Sequence, residues 1–170
     1  MSIRFVGTVM ILSGCGWFGF SMANAHRKLE NGLRQLVRGL EWMEWELQFR
    51  QTPLPQLCSH TGNILSGELS RVFFQMEREL DTGEYGQASD CMNHILVDHP
   101  RIPERIRELL TETGRCMGQF DLNGQLSSLR SVRKECETEV NQLSRDRENR
   151  LRSYQTLGLC TGAALAVLLL

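Results

Sequence analysis

The chain has 170 residues, of which 41% are hydrophobic and 23% charged, and its formal net charge at pH 7 is −1. This length is typical of about one domain. A nearly neutral chain gives no electrostatic reason to expect nucleic-acid binding, which depends on a basic surface.

The apolar residues are concentrated at the two ends. Residues 5–25 form a run of 21 residues without a formal charge, and residues 157–170 form a second run of 14. All 20 acidic residues and 18 of the 19 basic residues lie between these runs. We therefore expect an N-terminal transmembrane helix over 1–25, a helical domain over 26–153 and a C-terminal transmembrane helix over 154–170.

The first apolar run is open to three interpretations. As a helix it would span about 31 Å, which is enough to cross a bilayer core of about 30 Å. The triplet 23–25 (Ala-Asn-Ala) resembles a signal-peptidase site, and residues 12–15 (Leu-Ser-Gly-Cys) resemble a lipoprotein cleavage box. The apolar run continues after Cys15, which disfavours a lipoprotein. Secretion would leave five scattered cysteines in an oxidising compartment, so a retained anchor is favoured over a cleaved signal.

The second apolar run is short for a membrane helix, a length that bilayer thinning and the snorkelling of flanking groups can accommodate. Gly158 and Gly162 form a Gly-x-x-x-Gly pair, which permits close packing of helices in lipid. Eight basic residues flank the two runs on the side of the central region, whereas only Arg4 lies beyond either run. This bias predicts a central domain in the cytoplasm and both termini outside the cell membrane.

The central region begins with a helical pattern. Apolar residues recur at alternating spacings of four and three from Leu29 to Leu47, a seam that continues directly from the first apolar run. We expect Trp42 and Trp45 to flank this seam and widen its apolar face. The segment 52–55 (Thr-Pro-Leu-Pro) should end the helix and start a second one, with Thr52 as N-cap and Pro53 at the first helical position.

Four more helices are predicted after this one. Amphipathic patterns indicate a third helix containing residues 69–80, a fourth over about 85–97, a fifth that opens at Pro103 and a long sixth that Asp121 caps. Gly114 and Gly118, four residues apart, should allow another helix to approach closely. The sequence therefore predicts an all-α protein, a cytoplasmic six-helix bundle flanked by N- and C-terminal transmembrane helices.

Motifs for catalysis, metals or cofactors are weak. The chain has no Gly-x-x-x-x-Gly-Lys-[Ser/Thr] loop for nucleotide phosphates. The pairs Cys58 with His60 and Cys91 with His94 lack the further ligands that a zinc site needs, and a cysteine on an amphipathic face is usually a small buried hydrophobe. We expect no catalytic residues, no metal site and no cofactor.

Several short motifs resemble the stage III sporulation protein AB family of endospore-forming bacteria. The resemblance rests on three stretches of the chain: residues 52–55, the stretch from Leu109 through Gln125, and the tail 154–159 (Tyr-Gln-Thr-Leu-Gly-Leu). The sequence departs from the family pattern at Thr113, where an aromatic residue is usual, and at Phe120, where a small polar residue is usual.

The resemblance implies a secretion F-domain-like fold, similar to the F-type platform proteins of type II secretion and type IV pilus machines. It also implies a non-enzymatic scaffold in a channel-like complex between mother cell and forespore, at the mother cell membrane, with a secretion-type ATPase and membrane proteins as partners. A homo-oligomer of this chain is left open. Because helix corners are exposed and rigidly held, the candidate partner contacts are Thr52, Pro53, Leu54, Pro55, Glu112, Gly114, Gly118, Gln119 and Asp121. The alternative is a membrane-anchored regulator or sensor whose bundle responds to a ligand, which a buried polar pocket would favour.

Overall fold

The structure, a computed structural model, describes residues 27–83, 85–117 and 121–169, with side chains up to residue 145. Its helices are α1 over 27–49, α2 Leu54–Ile64, α3 Glu68–Thr82, α4 Ala88–Asp98, α5 Glu104–Cys116 and α6 Leu122–Leu169. No strand occurs within these ranges. The prediction of an all-α bundle is confirmed for this part of the chain.

The seam of α1 forms the centre of the core. Leu33, Leu36, Leu40 and Met43 are completely buried, and the side chains packed around them come from all the other helices. Fully buried residues on those helices include Leu57, Phe73, Met92, Leu110 and Leu129. Burial of one such side chain contributes roughly 1.5–3 kcal/mol to folding, so this shared core drives the helices together.

A glycine with positive φ lies at each end of α3. Gly67, which precedes the helix, has φ 68°, and Gly83, which follows it, has φ 69° in the left-handed region. Residues with a Cβ adopt this region only at a cost, so glycine fits both positions. The amide of Gly83 donates to the carbonyl of Leu80 at 3.2 Å, which satisfies one of the carbonyls left open at the helix end.

Helices α1 and α6 run antiparallel, as the order of their contacts shows. Hydrogen bonds join Arg34 to Ser144 at 3.0 Å, Glu44 to Arg133 at 2.7 Å and Gln48 to Arg130 at 3.3 Å. Residue numbers rise along α1 as those of their partners fall along α6. The start of α1 is therefore level with α6 near residue 150, which we call the terminal end of the bundle. The end of α1 is level with the first turns of α6, which we call the corner end.

Three expectations need correction. Trp42 and Trp45 do not widen the buried face: they are 36% and 43% exposed, because at 3.6 residues per turn they point away from the seam. Helix α4 begins at Ala88, three residues later than predicted. Thr52 is not the N-cap of α2, and Pro53 is not its first residue, since α2 begins at Leu54 with Pro53 as its N-cap.

The membrane helices are not confirmed. The predicted N-terminal helix over 1–25 lies outside the described residues. Within the part of the chain that is described, no helix has both the length and the apolarity of a membrane-spanning segment. Residues 154–169, which include Gly158 and Gly162, form the last part of the backbone of α6.

Candidate functional site

The first candidate corner joins α1 to α2 and is held by a side-chain hydrogen bond. Gln51 adopts a left-handed φ of 50°, which turns the chain sharply after α1. The hydroxyl of Thr52 then donates to Glu46 Oε2 at 2.5 Å instead of capping α2. Pro55 in the first turn of α2 has no N–H, so fewer donors there need a cap. Pro53 is exposed, whereas Leu54 and Pro55 are half-buried.

Glu46 is a buried carboxylate beneath this corner that the sequence analysis missed. Its side chain is fully enclosed, and Oε1 accepts no hydrogen bond from the described residues. Instead Oε1 lies 3.5 Å from Arg50 Nη1 and 3.5 Å from His60 Nδ1. Isolated buried charge is costly, so these neighbours and Thr52 make the burial tolerable. The only sequence signal was its place beside Leu47, at the flank of the seam.

The second candidate corner lies between α5 and α6. Glu112 is exposed and forms an ion pair with Arg115 at 3.3 Å. Asp121 Oδ1 accepts a hydrogen bond from the amide of Gly124 at 3.2 Å, which confirms the predicted cap of α6. Gly118 and Gln119 lie outside the described residues.

Gly114 permits a close approach between α4 and α5. A Cβ at this position would lie 2.9 Å from Met92 Cβ and 3.3 Å from the carbonyl oxygen of Ala88. The close approach expected at the glycines is therefore confirmed at Gly114. Gly114 is buried, so it sets the distance between α4 and α5 and is not itself exposed to a partner. On α5, Glu112 is the candidate contact that a partner could reach.

Both candidate corners lie at the corner end of the bundle. Gln48, one turn before Thr52, bonds Arg130, which lies only nine residues after Asp121. Nine helical residues span about 14 Å, so this contact places Thr52 and Asp121 near each other along the long axis of the bundle. The structure thus brings the described residues of the two corners, about 60 residues apart in the sequence, to the same end of the bundle.

Two arginines form ion pairs that link α6 to α5 and to α1. Arg105 of α5 forms ion pairs with Glu135 and Glu139 of α6, and hydrogen bonds from its guanidinium, to Glu139 above all, raise its pKa. Arg133 of α6 bonds Glu44 of α1, and this bond raises its pKa in the same way. The acidic residues of α6 therefore serve helix packing rather than forming only a solvated face.

The four cysteines whose side chains are described are buried, and their thiols are disfavoured as nucleophiles. Cys58, Cys91, Cys116 and Cys136 are free thiols. Burial raises the pKa of Cys91 and of Cys136 to about 12, and burial also raises the pKa of Cys58. A thiolate, which is the reactive form, is scarce at neutral pH under these conditions.

Of the two Cys and His pairs singled out in the sequence, the structure separates the first and brings both members of the second to one glutamate. His60 points to Glu46, while Cys58 is buried in the core. His94 Nδ1 lies 3.6 Å from Glu79, which also lies 3.7 Å from Cys91 Sγ. In the described ranges, no three His, Cys, Asp or Glu side chains are grouped so that they could hold a metal ion.

An open groove of about 750 Å³ runs along α5 and α6. Its charged lining includes Arg105, already paired with glutamates, and Arg115, paired with Glu112.

Two threonines in the core, Thr61 and Thr113, donate to carbonyls of their own helices at 2.8 and 2.7 Å. These polar groups are occupied within the fold, so they offer no obvious hydrogen bonds to a small ligand.

Comparison with known proteins places this fold in a family. The sequence model of "Stage III sporulation protein AB (spore_III_AB)" matches residues 4–170. Stage III sporulation protein AB of Bacillus subtilis (strain 168) is 22% identical over 170 residues, which cover 99% of each chain. A solved structure titled stage III sporulation protein AB aligns with a TM-score of 0.64 at 20% identity, covering 72% of this chain and 98% of that one.

The solved structure supports the fold alone, because its sequence identity is low. The family match extends over nearly the whole chain, including both candidate corners and both apolar ends. On that basis, this chain belongs to the stage III sporulation protein AB family.

Proposed function

We propose that this chain is a non-enzymatic, membrane-anchored platform of a sporulation complex between mother cell and forespore, and that it docks a cytoplasmic secretion-type ATPase. The observation that carries the proposal is the antiparallel register of α1 and α6. That register sets Arg27, the first described residue, level with α6 near residue 150, so both apolar runs would leave the bundle at the same end. It leaves both exposed corners at the opposite end, where a cytoplasmic partner could reach them.

The charges near the ends support the same arrangement. Lys28 lies in the first turn of α1, and residues 145–152, which include four arginines, lie at the same level of the α6 backbone. Basic residues at one level favour contact with anionic headgroups on the cytoplasmic side of a mother cell membrane. The terminal end is then the end that faces the membrane.

The core favours a platform over a ligand-responsive regulator. Large apolar side chains fill the interior, and the buried threonines bond their own helices. A sensor needs a pocket with convergent polar groups that are free to bind a ligand. An assembly role needs instead a rigid body with exposed turns, which the two corners provide.

Docking is tested with the full chain in detergent micelles and the purified ATPase of the same sporulation complex. We expect Glu112→Arg to reduce co-purification of the ATPase strongly while leaving the melting temperature nearly unchanged, because Glu112 is exposed. Glu104→Arg is the matched control: Glu104 also pairs with an arginine three residues later, but it lies at the other end of α5. Equal binding by wild type and both variants would remove Glu112 from the docking surface, and no binding by wild type would contradict ATPase docking.

Membrane topology is tested with cysteines added on opposite sides. We expect an impermeant maleimide to label Ser2→Cys in intact cells, and to label Asp90→Cys on α4 only after the membrane is opened. The four native thiols of the bundle are buried, so added cysteines report more clearly than native ones. Labelling of Asp90→Cys from outside would overturn the orientation.

A further inference from the structure

Helix α1 carries an aromatic stripe on its solvent side that the core does not use. The stripe consists of Trp42, Trp45 and Phe49, which are 36%, 43% and 66% exposed. The ring centroids are 5.3 Å apart between the two tryptophans and 5.8 Å apart between Trp45 and Phe49. Arg50 covers Trp45 with its guanidinium 5.4 Å from the ring centroid.

The composition of the stripe is that of a protein interface. Tryptophan, phenylalanine and arginine are enriched where proteins bind each other, and the largest exposed apolar patch of a protein, typically about 300–600 Å², is often functional. The exposed parts of three aromatic side chains amount to roughly 300 Å², since each such side chain buries about 150–250 Å² when enclosed. A stable interface needs about 800 Å² per partner, so the stripe can form only the centre of a larger contact.

Arginines extend the same face of α1 toward the terminal end. Counting 100° per residue, Arg27, Arg34 and Arg38 lie on the side that carries Trp42 and Trp45. All three are exposed, but Arg34 is already ion-paired with Glu30 at 2.9 Å and bonds Ser144 of α6 at 3.0 Å. The α1 outer face, defined by Arg27, Arg38, Trp42, Trp45 and Phe49, is thus basic toward the terminal end and aromatic toward the corner end.

This charge pattern indicates which kind of partner would bind the α1 outer face. We propose that the α1 outer face binds an amphipathic helix of a partner protein, with apolar residues spaced three and four apart against the stripe and acidic residues against the arginines. Two helices pack side by side in this way when apolar positions repeat at those spacings. The stripe ends three residues before Thr52, so the contact is continuous with the first candidate corner.

A second copy of this chain fits the face less well. Under the proposed function, on which this step rests, every copy is anchored in one membrane with the same orientation. A twofold pair would then pack its α1 helices in parallel and set the arginines of one copy against those of the other. Like charges facing each other across an interface are unfavourable, whereas an acidic helix would neutralise them.

The experiment places a photo-crosslinking residue in the full-length protein during sporulation of the source bacterium. The variants are Trp45→p-benzoylphenylalanine and Phe49→p-benzoylphenylalanine, which keep an aromatic ring in place. Val97→p-benzoylphenylalanine is the control, because Val97 is 71% exposed on α4, away from the stripe. Mass spectrometry then identifies the crosslinked peptide of the partner.

We expect crosslinks from positions 45 and 49, but not from 97, to a helical protein segment with the stated apolar spacing and acidic residues. Adding Arg38→Glu should lower the yield by roughly fivefold or more, whereas Arg78→Glu on α3 should not. If the segment belongs to another protein than the ATPase, this inference stands and ATPase docking does not gain support. Crosslinks only to lipid, only to a second copy, or none at all would overturn the inference, even if the corner variants still affect ATPase binding.

Discussion

The close approach of α4 and α5 predicts that Gly114→Ala destabilises the fold. A Cβ at Gly114 would lie 2.9 Å from Met92 Cβ and 3.3 Å from the carbonyl oxygen of Ala88. Neither atom is the free end of a side chain, so α4 itself must shift. Overpacking of this kind costs roughly 1–3 kcal/mol. Alanine recovers about 1 kcal/mol of helix propensity, which leaves a net loss of about 1 kcal/mol.

The matched control is Gly39→Ala in the interior of α1. A Cβ there would meet the ends of Leu65 and Thr61 side chains at 3.2 and 3.3 Å, and such groups can move by a few tenths of an ångström. The gain in helix propensity then dominates. We expect Gly39→Ala to leave stability unchanged or to raise it by up to about 1 kcal/mol.

Thermal unfolding followed by circular dichroism measures the difference on residues 27–153, which contain the whole described core and which we expect to fold alone. The melting temperature should fall by roughly 4 °C for Gly114→Ala. It should stay level or rise for Gly39→Ala. If Gly114→Ala matches or exceeds the wild type in stability, the helices are not as close at Gly114 as described here.

Three further predictions concern single groups. Thr52→Val should cost about 2 kcal/mol, because the hydroxyl bonds the carboxylate of Glu46, while Thr52→Ser should retain most of the stability; equal losses would contradict this bond. The hydrogen bond from His99 lowers the pKa of Glu68 below 4.5, so its contribution is present above that pH and is lost as pH falls through the lowered pKa. The melting-temperature gap between wild type and Glu68→Gln should therefore shrink from about pH 7 to about pH 3, and a constant gap would contradict the linkage. Since burial raises the pKa of Cys136 to about 12, iodoacetamide at about pH 8 should alkylate it only after denaturation, and rapid labelling of native protein would refute its burial.

Much of the fold was predictable because each helix carries its own pattern. The alternating seam of α1 fixes its buried face, and Leu33, Leu36, Leu40 and Met43 are completely buried as the spacing requires. Asp121 was identified as a cap because its bond to Gly124 is local. The error on Trp42 and Trp45 was avoidable, since the same helical periodicity places them opposite the seam.

The features that the sequence did not reveal depend on contacts between distant residues. Thr52 looked like a cap, yet it bonds Glu46, because the left-handed Gln51 turns it back toward α1. Arg105 and its partner Glu139 are 34 positions apart, and nothing in either local pattern indicates the pair. At the candidate site, exposed Glu112 could be selected from its position near a helix end, but not the proximity of the two corners.

The ion pairs between α1 and α6 specify the register on which the proposed function rests. Glu44 is buried and contacts Arg133 at 2.7 Å and Arg130 at 3.5 Å. Such pairs add little net stability, because desolvation offsets their attraction, but breaking one leaves an unpaired buried charge. A slip of α6 by one turn that brings Glu137 to the level of Glu44 would carry both arginines about 5 Å farther away and impose that cost. The pairs therefore select one alignment, and this alignment is what keeps the start of α1 level with the late part of α6 and the corners together at the other end.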